Sequence, residues 1–299
     1  MNFKQLKTFA LVAELGSLSR AAKASDTVPS LVSRQIALLE AEWGDRLFER
    51  TGRGMALSGF GRRMLAETSL VLEQVDRLEG VAKETAGELT GTVHIGVLPS
   101  MSRQLLPLLM ADVRASAPAV KLHVVEGFSG NLDEQLTSGR LDMMVVNRYG
   151  TSGLRGEDVL GTVETCLIGK PGAGLLTGKS VLFRELAGVP LVLPSTPNGL
   201  RATLDQLSRK HDVELNVVME VDTATAMKDV AISGHAFTLL PLMAVREELA
   251  AKTLTASQIT RPAIKRTIAL SLSTHRPLSK AARFVATRLR KLASKVLHS

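Results

Sequence analysis

Apolar residues near the start of the chain recur at helical spacing in three short bursts. Phe3, Leu6, Phe9, Ala10, Val12 and Ala13 share one helix face, and Gly16 then stops the helix. Ser17 or Ser19 can cap a second helix through Arg20-Ala21-Ala22-Lys23-Ala24, whose small residues let helices approach closely. A third helix starts near Val28-Pro29, with proline suited to a first turn, and runs to about Trp43 before Gly44. Three short helices with tight turns form the framework of a helix-turn-helix.

In that third helix Val32, Ile36, Leu39 and Trp43 face a core, while Ser30, Ser33, Arg34 and Ala37 lie on another face. This second face is small and polar with one arginine. A major groove admits such a surface: arginine can grip guanine with two donors, and serine reaches bases or phosphates. A generic amphipathic helix explains the same spacing, so the next segment matters. Leu47 to Ser58 reads as a strand, a glycine-flanked basic turn holding Arg50 and Arg53, and a second short strand. Such a hairpin is a wing, and Arg53 at its tip can enter the minor groove.

At this point the chain resembles the LysR family of bacterial regulators. The resemblance runs through Leu6, Phe9, Gly16-Ser17, Ala21-Ala22, Ser33-Arg34-Gln35-Ile36, Leu39-Glu40, Leu47-Phe48-Glu49-Arg50 and Gly61, with spacing kept. It implies a winged helix that binds a dyad operator as a dimer, with Ser33, Arg34 and Arg53 matching family DNA contacts. It also implies dimers pairing into tetramers, whereas the residues themselves support only dimerisation. The chain departs from the family where Gln-Pro-Ala-Leu is usual: Pro29-Ser30-Leu31-Val32 stands instead, with Ser25 and Thr27 at customarily apolar positions. An altered operator preference, or a less firmly packed turn, is expected from this.

Ser58 can cap a long helix through about Glu84. Met64, Val71 and Leu78 fall seven apart, and Thr68, Val75 and Ala82 form a second series, giving a dimerisation seam. Met64, Val71, Val75 and Leu78 are its candidates, and packing against the helix's own domain is the alternative. Glu73, Asp76 and Glu79 would repel phosphates, so this helix should stand away from DNA. Thr85 to Gly91 reads as a hinge.

Beyond it the periodicity changes. Thr92–Leu98, Leu122–Val125 and Leu141–Val146 read as strands alternating with helices; so do Cys166–Ile168, Val189–Leu193, Val217–Val221 and Ala236–Leu240, with a helix over Ala224–Ser233. Alternation implies a parallel sheet with ligands bound beyond strand C-termini. The expected fold is therefore α/β overall: an all-α winged helix-turn-helix with a long linker helix, then two α/β lobes around a cleft. The domains are 1–58, 59–90 and 91–299, with one lobe at about 91–160 and 267–299 and the other at about 161–266. This part resembles the family's effector domain, itself similar to periplasmic binding proteins. Gly91-Thr92-Val93-His94-Ile95-Gly96, Ser138-Gly139-Arg140-Leu141-Asp142 and Leu239-Leu240-Pro241 carry that likeness. Ser100, Ser102, Ser129, Asn147, Thr196 and Thr223 sit at strand ends or helix starts facing the cleft. As a group of hydroxyls and amides they suit a small anion, although simple N-capping explains any one of them.

Composition narrows the classes further. Of 299 residues, 45% are hydrophobic and 22% charged, a globular composition without low-complexity tracts. The formal net charge is +8, but Arg261 to Ser299 hold ten Lys/Arg and no acid, so basicity is mostly C-terminal and says little about DNA. There Ala281, Val285, Leu289, Leu292 and Val296 form the apolar stripe of an amphipathic helix. One cysteine, Cys166, allows no internal disulfide, and no Cys/His cluster has zinc spacing. Met1 to Ala10 lacks a signal-like apolar core, and no run approaches the ~18 apolar residues of a membrane span. A cytoplasmic protein is expected, bound to no membrane. There is no Gly-x-Ser-x-Gly elbow, phosphate-cradling loop or His-Glu-x-x-His, and His94, His123, His211, His235 and His275 are scattered. The function expected is sequence-specific DNA binding modulated by a small anionic effector, without enzymatic activity, metal or cofactor. The alternative is a small-molecule-binding protein or enzyme with an accessory DNA-binding module.

Overall fold

The structure, a computed structural model, describes residues 1–51, 54–84, 89–149, 156–176, 178–275 and 277–298. The chain separates into two compact units, Met1–Gly91 and Thr92–Ser299.

The first unit holds α1 (Phe3–Leu15), α2 (Leu18–Ala24), α3 (Pro29–Trp43), β1 (Phe48–Thr51), β2 (Gly54–Leu57) and α4 (Gly59–Glu84). Asn2 and Gln5 form a reciprocal capping box on α1, at 3.0 and 2.7 Å, and Gly16 closes that helix at φ +61°. Ser17, not Ser19, caps α2. The core forms where Phe9 meets Trp43 and Phe48 edge to face, with ring centroids 6.1 and 5.6 Å apart. Glu40 reaches from α3 to accept the Leu47 and Phe48 N–H groups at 2.7 and 3.3 Å, which fixes the wing's first strand. Ser58 Oγ accepts the Gly61 N–H at 2.8 Å and so starts α4. Ser25 stands exposed at the end of α2 because its hydroxyl donates back to the Ala21 carbonyl at 2.7 Å, so a polar residue fits there without entering the core. Thr85–Glu88 of the expected hinge lie outside the described residues.

In the second unit β3 (Gly91–Val97), α5 (Pro99–Ser116), β4 (Val120–Glu126), α6 (Ser129–Thr137), β5 (Met143–Arg148) and β6 (Asp158–Glu164) begin one lobe. The other lobe comprises β7 (Cys166–Gly169), β8 (Ser180–Leu182), β9 (Pro190–Leu193), α7 (Gly199–His211), β10 (Asn216–Glu220), α8 (Ala224–Ser233), β11 (Phe237–Leu240), α9 (Arg246–Ala250) and β12 (Thr255–Thr260). The chain then returns to the first lobe as β13 (Lys265–Leu272) and α10 (Lys280–His298). The sheet orders are β4-β3-β5-β13-β6 and β10-β9-β11-β7-β12-β8.

The expectation of a parallel sheet needs correction. The pairs β3/β5, β9/β10, β9/β11 and β8/β12 are parallel, but β13 runs antiparallel to β5 and β6, and β7 antiparallel to β11 and β12. The reason is the double crossing between lobes. β5 runs toward the junction and β13 enters from it, so the two must oppose each other. On α10 the residues Ala281, Val285, Leu289 and Val296 are buried against α5 and β6, and Lys280, Arg283, Arg290, Lys291 and Lys295 are exposed.

Candidate effector cleft and nucleic-acid interface

On α3 the two faces separate as periodicity requires. Val32, Ile36 and Leu39 are buried, Ser30 and Arg34 are exposed, and Ser33 is half-buried. Arg34 makes no hydrogen bond or ion pair among the described residues, so its guanidinium is uncommitted. Arg53 and the side chain of Arg50 lie outside the described residues. The wing's second strand is tied down by the Met55 N–H, which donates to the Gly16 carbonyl at 3.0 Å.

The seam candidates on α4 divide by environment. Met64 packs on the winged-helix core, and Val75 is half-buried. Val71 and Leu78 are 47% and 68% exposed, an apolar surface that this chain alone leaves in water.

In the second unit a cavity of about 500 Å³ opens between the lobes. Ser100, Ser102 and Thr223 line it, at the starts of α5 and α8. Ser102 donates to the Pro99 carbonyl at 3.2 Å, and Thr223 accepts the Ala226 N–H at 3.3 Å, so both also serve their own helices. Ser129 and Asn147 meet beside the cavity rather than in it. The Ser129 hydroxyl bonds both the N–H and the carbonyl of Asn147, each at 3.1 Å, pinning α6 to the end of β5. Thr196 is exposed on the loop after β9 and does not line the cavity.

Spacing alone missed the charged part of the lining: Arg103, Lys228 and Arg246 against Glu126, Asp222, Glu247 and Glu248. Lys228 and Glu248 pair at 2.5 Å, and Arg103 pairs with Glu247. Burial works to raise the Glu248 carboxyl, but the Lys228 hydrogen bond and the Lys228 and Arg103 charges hold it below the ordinary value. The Ser195 hydroxyl and N–H likewise lower Asp222, at 2.7 and 2.9 Å. These residues are separated by up to 145 positions, so no local motif announces them. Arg148, at the end of β5, is equally committed, with two 2.7 Å bonds to Asp133 and one of 2.6 Å to Glu157. Chiefly the Asp133 bonds, helped by Glu157 and opposed by burial, raise its guanidinium above the usual value.

A helix-turn-helix domain described for bacterial regulatory proteins of the lysR family matches residues 3–62, and the LysR substrate binding domain matches residues 86–294. The chain belongs to the LysR family. It is 28% identical over 287 residues to the nitrogen assimilation regulatory protein nac of Escherichia coli, covering 95% of this chain and 93% of that one. A hydrogen peroxide-inducible genes activator of Haemophilus influenzae is 32% identical over 146 residues, 49% of this chain and 48% of the relative. Among solved structures, full-length CbnR in complex with its target DNA superposes with a TM-score of 0.71 at 20% identity, covering 99% of this chain and 100% of CbnR. This LysR-family protein is a DNA-binding transcriptional regulator with an effector-binding domain.

Its one cysteine does not equip it as a thiol switch. Cys166 is buried in β7, and burial followed by the Glu164 charge pushes its thiol up to about 11. At neutral pH the thiol is protonated, and the reactive thiolate accumulates only as pH approaches that value. A disulfide reagent at pH 7.5 is therefore expected to label Cys166 no faster than the lobe unfolds. Hydrogen peroxide is expected to leave operator affinity unchanged in a gel-shift assay. Rapid labelling of the folded protein would contradict this placement.

Proposed function

We propose that this LysR-family regulator binds its operator as a dimer through Ser30, Ser33, Arg34, Arg50 and Arg53, and senses a small anionic effector in the interlobe cleft. On this reading residues 1–58 read DNA, 59–90 are the dimerisation helix and hinge, and 91–299 sense the effector. On this reading the lobes divide near 160 and 267; the sheets change over a few residues inside those bounds, between Glu164 and Cys166 and between Thr260 and Lys265. The protein works in the cytoplasm and catalyses no reaction, in keeping with relatives that regulate transcription. No helix among the described residues is long and apolar enough to cross a membrane, and no three or more of their His, Cys, Asp and Glu residues are grouped so as to hold a metal ion.

The cavity of about 500 Å³, built from the first turns of α5 and α8 on opposite lobes, carries the effector reading. A ligand touching both lobes favours one lobe arrangement by its differential affinity, and coupling of this kind is reciprocal. Titration of a bound effector with and without operator is thus expected to give two affinities differing by the same factor as operator affinity with and without effector. Equal affinities would remove the coupling.

The dimer has its own test. Charges placed on the exposed apolar pair, Val71→Asp with Leu78→Asp, are expected to shift the full chain from dimer to monomer in light scattering. The melting of the effector unit should not move. A dimer that persists would place the interface elsewhere.

A further inference from the structure

The cavity between the lobes is lined by more negative than positive charge. Three cations, Arg103, Lys228 and Arg246, stand against four carboxylates, Glu126, Asp222, Glu247 and Glu248. Arg103 is offset by Glu247 and Lys228 by Glu248, which leaves Glu126 and Asp222 with one further cation, Arg246. A ligand carrying negative charge alone would meet an excess of its own sign here. Charge complementarity therefore asks for a positive group on the ligand as well.

Neither of the two remaining carboxylates serves as a helix cap. Asp222 accepts from Ser195 on the loop after β9, while α8 is capped by Thr223. Glu126 is the exposed last residue of β4, and its side chain makes no hydrogen bond or ion pair among the described residues. The two belong to opposite lobes, so a cation between them is drawn to both walls at once. Asp222 keeps lone pairs for such a group even with Ser195 bound. The lining also holds a donor for an anion. The Lys228 side chain is 14% exposed and gives one of the three N–H groups of its ammonium to Glu248. Glu248 thus aims the Lys228 ammonium, and the other two donors have no partner among the described residues.

We infer that the effector is a zwitterion of amino-acid type, its ammonium held between Glu126 and Asp222 and its carboxylate taken by Lys228. This rests on the effector reading above and adds a cationic group to the anionic one. Size agrees with the class: about 500 Å³ admits an amino acid together with its side chain. The ammonium is also what links ligand to lobe arrangement. Glu126 and Asp222 repel each other across the cleft, and a cation bridging them turns that repulsion into attraction toward a shared partner.

The test melts the full-length protein with matched sets of compounds at constant ionic strength. One set is L-norvaline, pentanoate and butylamine; the other is L-phenylalanine, phenylpropanoate and phenylethylamine. Each set offers both charges, the acid alone and the amine alone on one carbon skeleton. At least one amino acid should raise the melting temperature more than its acid or its amine. In Glu126→Gln the ligand-free melting temperature should not change, because that side chain holds nothing in the fold. Affinity for the amino acid should fall on the order of 10-fold, the loss expected for one hydrogen bond to a charged group. Affinity for the matching acid should hold or rise, since a repelling charge is gone. Replacing the pair as a unit, Lys228→Met with Glu248→Leu, leaves no buried carboxylate alone and should weaken amino acid and acid by similar factors.

An acid that stabilised the wild type as well as its amino acid would overturn the inference and leave the cleft reading in place. Equal weakening of acid and amino acid by Glu126→Gln would do the same. An amine that matched its amino acid would remove the carboxylate from recognition, and with it the zwitterion. If no compound moved either melting or operator affinity, both readings would fall.

Discussion

Arg34→Ala is expected to lower operator affinity by about 1–3 kcal/mol per half-site, and so by roughly twice that for a dimer engaging both halves. The reason is placement. Arg34 is exposed and uncommitted on the face of α3 opposite its anchor of Val32, Ile36 and Leu39, so nothing in the fold depends on its guanidinium. Fluorescence anisotropy on a selected operator and on a random duplex separates the two contributions. If the arginine reads a base, the specific complex weakens far more than the random one. If it only meets phosphate, both weaken alike and the salt dependence of binding becomes shallower. The melting temperature should not change. Undiminished binding to the selected operator would remove α3 from its role.

Gly61→Ala is expected to act through the fold instead, destabilising the winged-helix unit by about 3 kcal/mol. A Cβ at this position presses into the Leu47 carbonyl oxygen and comes within 2.9 Å of the carbonyl carbon. Neither side can yield. The Leu47 side chain is fully buried, and its carbonyl already accepts the Ser58 N–H at 3.0 Å at the start of α4. The added methyl must therefore separate the wing from the linker helix. In a two-transition melt the first unit should unfold more than about 10 °C lower, while the effector unit keeps its own transition. Operator binding should disappear at temperatures where the first unit is unfolded and persist below them. An unchanged first transition would mean that the wing and α4 are not joined through this contact.

Much of the first unit was legible because its signals are local. Capping residues, helix-stopping glycines and apolar spacing lie within a few positions of what they control, and from the Ser58 cap α4 runs unbroken through Glu84, the last residue described before 89. The candidate site was legible only in part. Ser100, Ser102 and Thr223 do converge on one cavity, because each follows a strand that ends at the cleft. Thr196 follows such a strand too, yet its side chain is turned to solvent. The helix α7 gave too weak an apolar signal, with only Leu200 and Leu204 buried along its length.

The chain's order of residues determined by itself the three-helix and wing framework, the linker helix and the alternation of strands with helices, since each follows from hydrogen bonding and burial over one or two turns. Tertiary structure alone decided the direction of β7 and β13, the convergence of Lys228 with Glu248, and the burial of Arg266 in β13. Those depend on which distant strands become neighbours. Side-chain alternation along a strand specifies its faces, but the pairing partner is chosen only when both lobes close their cores around the crossovers.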